Sequence, residues 1–145
     1  MTMDSGTFSQ ENIDALARFL PEFESPHFDP GRMSGTEPNP DGSFSVPYAV
    51  LSDQATSFVQ AAYDNNWVVG SFDWPSWSGS EEAESLRDDE SVLAKATPEQ
   101  IARLLTVVIR QDRFCDGALL DAFNSGLILR IVGRIDALSK ESRPG

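Results

Sequence analysis

Four stretches of the chain bring an apolar residue back every three or four positions, and each predicts a helix. In Ser9–Leu20, "SQENIDALARFL", Ile13, Leu16, Ala17 and Leu20 fall on one face. Ser9 is placed to cap that helix and Pro21 to end it. In Ser52–Asp64 the face is Ala55, Phe58, Val59, Ala62 and Tyr63, with Ser52 as the cap. The best local signal is "TPEQIARLLTVVIRQDRF" from Thr97. Thr97 is an N-cap, Pro98 opens the helix, Gln100 completes a capping box, and Ile101, Leu104, Leu105 and Val108 form the stripe. Leu127–Lys140 is the fourth, following Gly126, which is the C-terminal stop of the helix before it. Shorter helical pieces are expected at Ser80–Leu86, Asp88–Ala96 and from an Asp116 cap to Asn124.

Between these pieces the pattern breaks. Pro21, Pro26, Pro30, Pro38, Pro40 and Pro47, with Gly31, Gly35 and Gly42, argue against regular structure across most of residues 22–47. "EPNPDGS" (Glu37–Ser43) reads as a surface turn or a disordered tip. Phe23, Phe28, Phe44, Val46 and Tyr48 are apolar anchors for a long loop over the helices, or for a lid. A short extended piece fits Phe44–Val50, and a short buried strand fits Trp67–Val69. The expected fold is mainly α. It is a compact single-domain bundle of about five or six helices over residues 1–145, with a long irregular Pro/Gly-rich segment and room for one short β element. Residues 1–8 and 141–145 are expected to fray.

Composition narrows the function classes. At 145 residues with 40% hydrophobic content, the chain has enough material for one core. No run approaches the roughly 18 apolar residues that span a bilayer. "MTMDSGTFSQENIDA" lacks the basic and apolar regions of a signal peptide, so a cytoplasmic location is expected. One cysteine and one histidine cannot build a thiolate or imidazole zinc cage, so no metal and no cofactor are expected. No phosphate loop, serine-triad motif or dinucleotide fingerprint is present.

The net charge of −12 is uneven. Residues 1–90 carry 17 acids against 3 bases, and residues 91–145 carry 6 against 8. Such a chain repels nucleic acid over its first part and tolerates an anion only near its second, and direct nucleic-acid binding is not expected. Many aspartates with only Lys95 and Lys140 as lysines resemble proteins adapted to high salt, and also proteins of high-GC actinobacteria. The same acidity suits imitation of nucleic-acid charge.

Two constellations carry candidate chemistry. "RQDRFCDG" (Arg110–Gly117) ends the Thr97 helix. On a wheel of about 100° per residue, Arg103, Arg110 and Arg113 share the polar side with Glu99 and Thr106. Asp112 falls within about 20° of the centre of the apolar stripe, and Cys115 also falls inside it. An inward carboxylate must be paired. Its available donors are the amides of the following helix, an indole N–H of Trp67, Trp74 or Trp77, or Arg130 or Arg134. Asp112 therefore latches the helix turn to the fold, or is a carboxylate in a pocket. Cys115 reads as a small buried hydrophobe, and His27 is too remote in sequence to spell out a Cys–His pair. "FDWPSW" (Phe72–Trp77) is the second constellation. It is expected as a rigid turn that packs in the core, walls a pocket with Asp73 at its rim, or meets a partner.

These segments resemble a family of small microbial proteins called domain of unknown function 6508. The shared features are Leu20-Pro21 with Phe23, the Trp67–Trp77 segment, and Leu104 to Ile128 with its "RQDRFC" core. The resemblance covers most of residues 15–138 and is weakest over Glu24–Gly42. It implies that Asp73, Trp74, Trp77, Arg110, Asp112, Arg113, Phe114 and Gly117 form one recurring pattern, and it implies no activity. Two functional expectations follow. One is a non-enzymatic, acidic interaction or regulatory protein with a protein partner, Trp74, Trp77, Arg110 and Arg113 as contacts, and an inhibitor or nucleic-acid mimic in phage defence or counter-defence as a variant. The other is a small-molecule or enzymatic site between the tryptophan turn and the end of the Thr97 helix. Asp112 and Asp73 would be its acid/base groups or polar anchors.

Overall fold

A computed structural model describes residues 8–34, 37–43, 48–70, 72–112 and 117–142. In chain order these form α1 (Gln10–Ala17), α2 (Leu20–Glu24), β1 (Gly31–Ser34), β2 (Tyr48–Leu51), α3 (Asp53–Asp64), α4 (Trp74–Ser78), α5 (Glu81–Asp88), α6 (Glu90–Leu93), α7 (Pro98–Gln111), α8 (Ala118–Asn124) and α9 (Leu127–Ser142). The fold is mainly α, a compact single domain with one small antiparallel hairpin.

The organising element is α7. Its capping box is present on both sides: Gln100 N donates to Thr97 Oγ1 at 3.2 Å, and Thr97 N donates to Gln100 Oε1 at 2.9 Å. Ile101, Ala102, Leu104 through Ile109 are all buried, so α7 is covered on nearly every side. Thr106, expected on a solvated face, is instead wholly buried. The segment after α3 crosses that face. Val69 N donates to Thr106 Oγ1 at 2.8 Å, and the hydroxyl donates to Ala102 O at 2.7 Å. The strand expected at Trp67–Val69 does not form. The segment has no neighbouring strand, and Trp67 N donates instead to Ala62 O at 2.9 Å. Thr106→Val keeps the volume but leaves the Val69 amide without its acceptor. That variant should lose about 1.5 kcal/mol of unfolding free energy, read as a lower urea midpoint at unchanged slope.

Around α7 the core joins Leu16, Phe58, Trp67, Leu86, Leu104, Ile128 and Ile131. α1 packs chiefly on α9, where Gln10 Nε2 donates to Ser139 O at 3.2 Å and Ser139 Oγ donates to Asp14 Oδ1 at 2.5 Å. An aromatic cluster of Phe19, Phe23, Phe28, Phe58 and Phe123 fastens α2 and the following loop to α3 and α8.

Two expectations in the Pro-rich region are corrected. Pro21 does not end the helical region but lies in the first turn of α2, where a missing amide hydrogen costs nothing. The long loop also contains a strand: Gly31 to Ser34 pair with Leu51 to Tyr48. Residues 44–47, including Phe44 and Val46, lie outside the described residues. Of the two readings of Glu37–Ser43, the turn is the one that forms, closed by Asn39 N donating to Ser43 O at 2.7 Å and Gly42 N to Asn39 O at 2.9 Å.

Candidate functional site

The motif residues fall at two corners of the fold. At the first, Asp73 is the N-cap of α4, its Oδ1 accepting from Ser76 N at 3.4 Å. "FDWPSW" is thus a one-turn helix rather than a plain turn. Asp73 precedes a tryptophan and a proline, and Pro75 sits where a first turn tolerates it. Trp77 is half-buried against Phe72, with ring centroids 5.8 Å apart. Its indole N–H donates to Glu82 Oε1 at 2.6 Å. Gln100 Nε2 donates to Glu82 Oε2 at 3.0 Å, and Arg103 Nη1 stands 3.8 Å from Oε1. Glu82 therefore clasps α4, α5 and α7 together. The Gln100 amide first, then the Trp77 indole and the Arg103 charge, hold its carboxyl below the usual carboxylate range. A depressed carboxyl contributes stability above its unfolded value, and that contribution is lost as pH falls through the folded one.

At the second corner, α7 ends at Asp112, which is half-buried. Its Oδ1 accepts from Gly117 N at 3.2 Å and Leu119 N at 3.1 Å. Of the donors expected for Asp112, the amides of the next helix are the ones that reach it. The indoles of Trp67 and Trp77 are directed to Asn12 O and Glu82. Arg134 bonds Ala96 O and Glu141, and Arg130 bonds Arg87 O. The residue before α8 is Gly117, in the left-handed region at φ 96° with no side-chain cap of its own. Met33 of β1 lies over it, and a Cβ there would stand 3.4 Å from Met33 Sδ. Arg110, half-buried in the last turn of α7, keeps its Nε buried without a hydrogen-bond partner among the described residues. Arg113, Phe114, Cys115 and Asp116, with the cap expected of Asp116, lie outside the described residues.

The structure thus gives Asp73 and Asp112 separate helix N-termini to cap. Among the described residues, four surface grooves are lined by other side chains than these two, Trp74, Trp77 and Arg110. The described residues contain no group of three or more His, Cys, Asp or Glu fit to hold a metal ion. No described helix is long and apolar enough to cross a membrane.

A feature that the motifs did not announce adjoins the Glu82 clasp. Glu81, Glu82, Glu84, Asp88, Asp89 and Glu90 are all exposed along α5 and α6. Asp89 caps α6, accepting from Ser91 N at 2.9 Å and Ser91 Oγ at 2.6 Å, and these bonds hold its carboxyl below the usual range. The cations near this ridge are held locally. Arg87 donates to Ser78 O at 3.1 Å, and Arg130 Nη1 lies 3.9 Å from Glu90. Glu84, Asp88, Asp89 and Glu90 line an open groove with Arg130 at its edge. The sequence signal for the ridge was the excess of acids in residues 1–90, which gives sign but not place.

A family model matches residues 8–141, and its description is "Family of unknown function (DUF6508)". No curated protein and no solved structure matches the chain.

Proposed function

The chain belongs to that family, whose description brings no activity with it, and we propose from its geometry that it is a non-enzymatic interaction protein. It docks its α5–α6 ridge on a basic surface of a protein partner. The observation that supports this reading is the run of exposed carboxylates from Glu81 to Asp89 and Glu90, beside a groove whose one base among the described residues is Arg130. Opposite charge across an interface speeds encounter and selects the partner. Trp77 belongs to the same corner through its bond to Glu82 and gives the ridge an aromatic border. The pocket alternative is weakened because Asp73 and Asp112 already accept backbone amides.

The test is a pull-down from native lysate with the wild-type protein and with Glu84→Gln/Asp88→Asn/Glu90→Gln. These exposed substitutions preserve shape and should each move stability by less than about 0.5 kcal/mol. The expected outcome is a stoichiometric protein retained by the wild type, lost from the triple variant, and released by raised salt. A partner held equally by both proteins removes the ridge from the reading. A partner that binds DNA and the ridge competitively makes the protein a nucleic-acid mimic.

A further inference from the structure

Beside the acidic groove lies a second one with different chemistry. It runs between α6 and α9 and encloses about 250 Å³, lined mostly by carbon. Leu93 comes from α6 and Ala94 from its C-cap, and Gly133 and Ala137 from α9, with Arg130 and Arg134 as walls. Both arginines have polar partners, but the Nε of Arg130 is buried with none among the described residues. Arg134 Nε donates to Ala96 O at 2.9 Å, and its Nη1 meets Glu141 Oε2 at 3.0 Å. Arg130 reaches Arg87 O and Glu90. They present aliphatic stems to the groove rather than open cation sites.

Gly133 is the telling residue. A glycine inside a helix costs stability relative to alanine. Here neither backbone nor packing requires it: its φ is not positive, and a Cβ would meet nothing within 4 Å. Any side chain at that position would fill the groove. A local cost without a structural return marks a place where function sets the residue. The volume is below the roughly 300–1,000 Å³ of small-molecule sites, and suits a single side chain.

We propose that this groove seats one aliphatic side chain from an amphipathic helix of the partner, whose lysines or arginines lie over Glu84, Asp88, Asp89 and Glu90. This rests on the docking role given to the α5–α6 ridge and names the kind of partner. Charge complementarity selects the occupant. The apolar and acidic grooves share Glu90 and Arg130, so an apolar anchor and a basic residue one turn away reach both from one helix face. A second copy of this chain, at a net charge of −12, would bring like charge to the same ridge.

The experiment uses the full chain and two fluorescent, lysine-rich amphipathic peptides, identical except for one anchor position that is leucine in one and alanine in its twin. Anisotropy should show the leucine peptide binding about tenfold tighter. Gly133→Leu, which fills the groove from within, should erase that preference and leave the alanine twin unchanged. Ala94→Leu, from the opposite wall, gives the same readout if the first variant folds poorly. Equal binding of the twins to the wild type, or a preference that survives both variants, overturns the groove. If peptide binding still falls in the Glu84/Asp88/Glu90 triple variant, the acidic ridge stands without it. If the triple variant binds both peptides like the wild type, the ridge reading falls as well.

Discussion

Trp67→Ala should lower the free energy of unfolding by about 4 kcal/mol, the largest effect of any substitution considered for this fold. Trp67 is among the largest fully buried side chains. Its ring stacks on Phe8 with centroids 4.2 Å apart, and its Nε1 donates to Asn12 O at 2.9 Å across α1. Truncation leaves a cavity between α1, α3 and α7 and strips that carbonyl of its donor. A domain of this size has roughly 5–15 kcal/mol of stability in all, and at about 3 °C per kcal/mol the melting temperature should fall by roughly 12 °C. Trp67→Phe separates the two causes. It keeps most of the ring volume and loses the indole donor with only a small void, so it should cost about 1.5 kcal/mol. A thermal melt of Trp67→Ala within a few degrees of wild type would mean that the segment after α3 is not part of the core.

Asp112→Ala ranks second, at about 2 kcal/mol or roughly 6 °C. The loss is that of a helix cap supplied from outside the helix. One carboxylate oxygen takes the Gly117 and Leu119 amides, so the end of α7 and the start of α8 share a single acceptor. Gly117 has no side chain with which to replace it. Asp112→Asn keeps an acceptor oxygen and loses the charge that favours a helix N-terminus, and should cost less than half as much. If Asp112→Ala melts with the wild type, the latch is refuted and the carboxylate is free for chemistry at that corner.

The parts of this fold readable in the sequence are those whose signal is local. Thr97, Pro98 and Gln100 announce the start of α7 within four residues, and the capping box is present. The donors expected for Asp112 included the amides that it binds, because a carboxylate placed inward at the end of one helix has the start of the next within reach. The residues that misled are those decided by distant neighbours. Thr106 shares a helix side with Arg103 and Arg110 and looks solvated. Only the passage of Trp67–Val69 over it, 37 residues upstream at the Val69 amide, makes it a buried acceptor. Pro21 signals a helix end and a helix start equally well, and Phe23 decided between them by burying itself among the rings of Phe19 and Phe58. β1 is four residues long with no alternation to detect, and pairing with β2 defines it. The acidic ridge was legible as charge and invisible as a place. Helices α5 and α6 had to turn the same way before their carboxylates made one surface.

The packing of α1 on α9 sets a timetable for synthesis. Gln10 and its partner Ser139 stand 129 residues apart, and a ribosome adds roughly 5–20 residues per second. The first helix therefore emerges and waits roughly ten seconds for α9, the element on which it chiefly packs. During that interval the nascent chain shows an apolar stripe to every chaperone within reach. The domain closes only when its last helix leaves the exit tunnel.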